Sequence, residues 1–155
     1  MIWELEALAC AINRAPHQWR PLVLTNGCFD LLHVGHVRYL SQAKAWGKSL
    51  VVGINSDRSV QGLKGKHRPI VPQDQRAEII DSLKWVDGVV IFAEATADKL
   101  LETLQPDIYV KGGDYRPDTL PEMPTLQKLS IALQLIPIET PTSTTAIIHK
   151  IKSQA

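Results

Sequence analysis

The chain has 155 residues, a formal net charge of +1, and 45% apolar against 21% charged residues. That length suits one compact domain with a buried core, and the composition excludes a disordered chain. The near-zero charge excludes binding that rests on bulk basicity, as in many nucleic-acid proteins, and leaves room for a local anion site.

Residues 1–20 carry acids early and lack an apolar signal core with a cleavage site, so they predict a short amphipathic helical extension ahead of the first strand. Short, branched apolar runs then recur at Leu22-Val23-Leu24, Leu50 to Ile54, Val89 to Phe92, Ile108-Tyr109-Val110 and Leu135 to Ile138. Such runs suit strands buried on both faces. Between them lie helical periods. Val37, Leu40, Ala43 and Trp46 precede a stop at Gly47; Ala77, Ile79, Ile80, Leu83 and Val86 follow Pro72; Ala97, Leu100, Leu101 and Leu104 follow Thr96 as N-cap. Leu120 to Leu133 predicts a helix after Pro124, and a last helix from Thr144 buries Ile147, Ile148 and Ile151. The alternation implies an α/β fold: a Rossmann-like parallel sheet of about five strands with helices on both faces, as a single domain over 1–155. Ligands in such sheets sit beyond the carboxyl ends of the strands. The two cysteines, Cys10 and Cys28, form no metal-type pair, which excludes a zinc finger or disulfide scaffold and fits a reducing cytoplasm. No stretch is apolar for long enough to cross a bilayer, so a cytoplasmic chain without a membrane partner is expected.

The first run ends in Thr25-Asn26-Gly27-Cys28-Phe29-Asp30 and continues as Leu31-Leu32-His33-Val34-Gly35-His36. Gly27 permits a tight turn. His33 and His36 share one face of an opening helical turn, and Gly35 removes a side chain where a ligand can approach. The helix start adds free N–H groups and a positive dipole end, so the segment makes a phosphate cradle with two imidazole donors. Two neighbouring histidines alone are more often surface or core residues; the strand, glycine turn and helix start supply the context.

Other candidates follow the other runs. Asn55-Ser56-Asp57 could meet an acceptor, and Asp57 reads equally as an N-cap. Lys64-Gly65-Lys66-His67-Arg68 is a basic loop, either solvated or facing phosphate. The paired glycines of Lys111-Gly112-Gly113-Asp114-Tyr115 permit close approach to a base or ribose, or form a plain turn. Thr142-Ser143-Thr144-Thr145 opens the last helix with N-caps or phosphate donors.

His33-Val34-Gly35-His36 matches the HxGH signature, by which the chain resembles the nucleotidylyltransferase superfamily. Thr25 to Gly47 is similar to the opening of bacterial cytidylyltransferase-like domains. Val51 to Ile70, Val110 to Tyr115 and Ser143 to Ile151 resemble the adenylyltransferase domain of ADP-heptose synthesis, often fused behind a sugar kinase. The chain begins where the fused domain would, which implies a stand-alone form served by a separate kinase.

The resemblance implies transfer of AMP from ATP to D-glycero-β-D-manno-heptose 1-phosphate, by in-line attack at the α-phosphorus with release of pyrophosphate. It implies His33, His36, Lys64 and Arg76 as catalytic residues, although Arg76 also reads as a plain surface arginine. Asn26, Gly27, Cys28, Phe29 and Gly35 would surround the phosphates. Gly112, Asp114, Ser143, Thr144 and Thr145 would hold the nucleotide, and Asn55, Asp57 and Lys66 the acceptor. Mg²⁺ is the expected cofactor, held mainly by phosphate oxygens, with Asp30 either touching it through water or tying down the turn. A homodimer is expected, with no nucleic-acid partner.

Two departures from the heptose pattern stand out. Pro141 replaces a glycine, and Leu120 to Leu133 lacks the usual glycines. The nearest rival is a glycerol-3-phosphate cytidylyltransferase or another small-molecule nucleotidylyltransferase. Ile138-Glu139-Thr140-Pro141 replaces its Arg-Thr-Glu-Gly, which counts against it. Outside enzymes the rival is an inactive nucleotide-binding module, which would take up ATP and release nothing.

Overall fold

The sheet consists of β1 (Ile2–Trp3), β2 (Leu22–Gly27), β3 (Ser49–Asn55), β4 (Gly88–Phe92), β5 (Ile108–Gly112) and β6 (Ala132–Ile136). All pairings are parallel, in the spatial order β1-β4-β3-β2-β5-β6. The computed structural model describes residues 1–113, 115–137 and 141–155. The helices are α1 (Leu5–Arg14), α2 (Pro16–Trp19), α3 (Val34–Lys44), α4 (Asp57–Lys64), α5 (Gln73–Asp81), α6 (Asp98–Leu104), α7 (Met123–Lys128) and α8 (Thr144–Gln154).

Side chains of a strand alternate between faces, and here both faces are apolar. Leu22 and Leu24 of β2, with Val51 of β3, face a core shared with Leu8, Ile12, Leu100 and Leu101. Val23, Leu50 and Val52 face the opposite core with Leu40, Ala43, Ala77 and Ile80. The central strands are therefore sandwiched, which is why their runs carry no polar alternation.

The structure adds to the expected sheet and shifts several boundaries. The additional strand is β1, an edge strand pairing Ile2 and Trp3 with Val89 and Val90. It is too short for any periodicity to mark it. β6 begins at Ala132, before the apolar run that suggested it. α4 is charge-rich and buries only Ser59 and Val60, so its pattern was weak. α5 ends at Asp81, leaving Leu83 and Val86 beyond it, and Ile79 is exposed. The N-cap of α6 is Ala97 rather than Thr96. α7 starts at Met123 with Pro124 in its first turn, where a missing N–H is harmless. α8 starts at Thr144 as expected, yet none of its residues is buried, and Ile151 is exposed.

The N-terminal helix is no appendage. Leu8 and Ile12 are within 1% of complete burial. Trp3 and Trp19 meet edge to face at 6.3 Å. Leu8→Ala is expected to cost about 2–5 kcal/mol by cavity formation, read by urea denaturation. A cost under about 1 kcal/mol would mark the segment as peripheral.

Strand order reverses direction at β2, whose neighbours are β3 on one side and β5 on the other. Such a switch point opens a crevice at the strand ends. Here β2 and β5 pair only as far as Leu24 and Tyr109. Beyond that the Val110 carbonyl accepts from the Thr25 hydroxyl at 2.9 Å and from the Tyr39 hydroxyl at 3.1 Å. The two strands thus part without leaving that carbonyl unpaired.

Candidate functional site

The chain leaves β2 through Cys28 and turns at Phe29, whose φ is 47°, rather than at Gly27 as the sequence suggested. Gly27 is needed for a different reason. A Cβ there would lie 2.9 Å from the Phe29 ring, which folds back over it. Phe29 in turn meets His36 edge to face at 5.2 Å.

His33 is the N-cap of α3 and His36 its third residue. The Gly35 N–H donates to His33 Nδ1 at 3.1 Å, and the His33 N–H donates to His36 Nδ1 at 3.4 Å. This is a reciprocal cap in which imidazoles replace the usual hydroxyl and carboxylate. Each Nδ1 accepts a hydrogen bond from a backbone N–H, so in the neutral ring the proton sits on Nε2. Both rings line the cavity, stacked with centroids 3.9 Å apart, and offer Nε2–H donors. Gly35 matters because a Cβ would sit 2.9 Å from the His33 ring.

Burial lowers the pKa of both histidines, and His36 falls to about 4, helped by the neighbouring His33 charge. They therefore act as neutral donors near pH 7. In the unfolded chain His36 binds a proton below about pH 6.5, while the folded chain resists it until near 4. Its contribution to stability is full above pH 6.5 and is lost as pH falls toward 4. Denaturation curves of wild type and His36→Gln should diverge in slope over that interval; parallel pH dependences would contradict the assignment.

Asp30 is buried and holds the basic loop. Its Oδ1 accepts the Ile70 and Val71 N–H groups at 2.8 and 3.0 Å, and its Oδ2 accepts Arg68 Nε at 2.6 Å. The tie to the turn is thus the reading that the geometry favours, and the carboxylate is committed. Among the described residues no group of three or more His, Cys, Asp or Glu is arranged to hold a metal.

Arg76 is not a surface arginine, and it does not line the cavity. Its Nε donates to Val71 O at 2.9 Å, Nη1 to Cys28 O at 2.6 Å and Nη2 to Asp57 Oδ1 at 2.8 Å. It clamps the turn after β2 to α4 and α5. Asp57 is consequently paired with Arg76, and the N-cap of α4 is Ser56, whose hydroxyl accepts the Ser59 N–H at 3.2 Å. Asp57 and Lys66 do not line the cavity, whereas Asn55, Lys64 and Arg68 do.

On the β5 side, Asn26 Oδ1 accepts from the Tyr109 hydroxyl at 2.7 Å and from Lys111 Nζ at 3.3 Å, bridging the parted strands. Burial raises the Tyr109 pKa and lowers that of Lys111. Gly112 lines the cavity, while Asp114 lies outside the described residues. At the start of α8, Ser143 is the N-cap, accepting the Ala146 N–H at 3.0 Å, and Thr144 donates to Leu31 O at 3.2 Å. Ser143, Thr144 and Thr145 still line the cavity. Cap and cavity wall are the same residues. Cys28 lines it too, its thiol pKa raised by burial against the pull of Lys64, Arg76 and Arg68.

The resulting cavity is about 630 Å³, within the range of small-molecule sites. Sequence reasoning did not single out Lys111, Tyr109 or Glu122. The first two carry a signal, the carboxyl end of a strand at the switch point. Glu122 carries none. No helix among the described residues is long and apolar enough to cross a membrane.

The profile of the Cytidylyltransferase-like family matches residues 24–153. The chain belongs to this family. As a cytidylyltransferase-like protein it is a nucleotidyltransferase. It is 47% identical over 152 residues to the bifunctional protein HldE of Geotalea uraniireducens, and 44% over 150 residues to that of Pseudomonas aeruginosa. These matches cover 98% and 97% of this cytidylyltransferase-like chain but only 31% and 32% of those proteins. A lipopolysaccharide core biosynthesis protein from Thermoplasma volcanium superposes with a TM-score of 0.63 at 32% identity, over 77% of this chain and 97% of that one.

Proposed function

We propose that this domain transfers AMP from ATP to a sugar 1-phosphate, D-glycero-β-D-manno-heptose 1-phosphate, forming ADP-heptose and pyrophosphate. The observation that carries the reading is the pair His33 and His36, each with Nδ1 held by a backbone amide and Nε2–H left for a ligand. The acceptor phosphate attacks the α-phosphorus and pyrophosphate leaves, so negative charge grows on the phosphoryl oxygens. Fixed donors stabilise that charge without reorganising, and no protein nucleophile is needed. The imidazoles of His33 and His36 act there, with the first-turn amides of α8 and the positive charges of Lys64 and Arg68 around them. Arg76 acts through the Cys28 carbonyl that it holds. Mg²⁺ bound by the phosphates would neutralise part of their charge; with Asp30 committed, the phosphate oxygens are its main ligands.

The likeness to HldE proteins supports the adenylyl and heptose assignment, and the lipopolysaccharide core protein supports a sugar acceptor. The test is a pyrophosphate-release assay with Mg²⁺, crossing ATP and CTP with heptose 1-phosphate and glycerol 3-phosphate. Turnover with ATP and heptose 1-phosphate alone is expected. Turnover only with CTP and glycerol 3-phosphate would transfer the assignment to that pair, and silence throughout would leave a binding module or another acceptor.

A further inference from the structure

Among the described residues the buried side-chain polar atoms without a hydrogen-bond partner are Trp3 Nε1 and Glu122 Oε2. Trp3 does not line the cavity, and Glu122 does. Glu122 immediately precedes α7 and is 4% exposed. Its Oε1 accepts the Ala97 N–H at 3.1 Å, capping α6 where the N-cap residue has only a methyl group. That bond holds the carboxylate in place. It leaves Oε2 buried with no donor among the described residues, and a buried acceptor of this kind calls for a partner from outside the chain.

The surroundings define that partner's chemistry. Ala95, Thr96, Leu120 and Pro121 form neutral wall around Glu122 in the same cavity. A carboxylate repels phosphate, so the triphosphate belongs elsewhere. Lys111 lines the same cavity, and the charge of Glu122 favours its protonated form against the effect of burial. Its ammonium has three N–H donors; among the described residues it bonds Asn26 and lies 5.9 and 5.4 Å from the Tyr109 and Tyr115 ring centroids. A carboxylate oxygen that needs a donor, in one cavity with an ammonium that has donors to spare, matches neighbouring hydroxyls, each of which can donate and accept.

We propose that Glu122 is a specificity-determining residue whose Oε2 accepts a hydrogen bond from a sugar hydroxyl of a bound substrate, while Lys111 donates to the adjacent hydroxyl. The proposal rests on the nucleotidyl-transfer reading in one respect, that two sugars enter the cavity: the ribose of ATP and the acceptor ring. Their vicinal hydroxyls present the same chemistry.

The test is Glu122→Gln, which keeps an oxygen for the Ala97 N–H and can present an NH₂ group in place of Oε2. Calorimetry on the full chain gives the affinities of ATP, 2′-deoxy-ATP, 3′-deoxy-ATP and heptose 1-phosphate for wild type and variant. One sugar-bearing ligand should weaken on the order of tenfold to a hundredfold, as for loss of a hydrogen bond to a charged group. Weaker heptose 1-phosphate with unchanged ATP assigns the site to the acceptor. Weaker ATP, with a deoxy analogue equal in both proteins, assigns it to ribose. Unchanged affinities for both ATP and heptose 1-phosphate overturn the proposal. These are binding measurements, so failure of the transfer assay would overturn the proposed function separately. Should the variant not fold, wild type decides alone. A tenfold or greater loss on removing one hydroxyl from either ligand supports the site, and equal affinities for all deoxy analogues overturn it.

Discussion

Replacing His36 with alanine is expected to lower kcat on the order of 10²-fold, the usual cost of one preorganised transition-state donor. The reasoning starts from the tautomer. His36 Nδ1 accepts the His33 N–H, so the ring's proton is on Nε2, and burial keeps the ring neutral. A neutral Nε2–H can strengthen its bond as charge accumulates on a phosphoryl oxygen, and alanine has nothing to offer in its place. The variant also loses half of the reciprocal cap on α3, worth about 1 kcal/mol, so the fold should persist. Steady-state pyrophosphate release with a circular-dichroism melt reads both effects. Near-normal turnover in a folded variant would remove His36 from the mechanism.

Arg76→Met is expected to lower stability by roughly 3 kcal/mol. The guanidinium is 1% exposed and reaches acceptors on separate segments, Val71 O, Cys28 O and Asp57 Oδ1. Methionine fills much of the volume and satisfies none of them. The part-buried carbonyls of Val71 and Cys28, left without their donor, dominate the cost, because Asp57 itself is partly solvated. Turnover should fall as well, since the Cys28 carbonyl sets the turn that carries Phe29 and the histidines. Equilibrium denaturation separates this from direct phosphate contact. A variant of unchanged stability whose only defect is a raised KM for ATP would show that Arg76 touches substrate.

These two residues also show how much of the site could be read from residue types. The histidines were legible because strand, turn and helix start are local features, and their spacing fixes a shared face. The same holds for the Ser143 cluster, whose capping chemistry is local. The places of Arg76 and Asp57 could not be read from residue type, which does not reveal the segments a side chain joins; here Arg76 ties Val71, the Cys28 carbonyl and Asp57 together. Asp30 reads two ways in sequence because its partners, the amides of Ile70 and Val71, come from a distant loop. Glu122 was invisible for the same reason. Its cap on Ala97 joins residues that no local pattern relates.

The layered α/β architecture, the apolar central strands and the histidine pair at the start of α3 could be read from local pattern, because each depends on contacts within a few residues or on simple alternation. Tertiary structure alone decided the edge strand β1, the parting of β2 from β5, the burial of Arg76 and the unmet oxygen of Glu122. Those features arise from pairings between distant segments, where desolvation and the demand for hydrogen-bond partners outweigh local propensity.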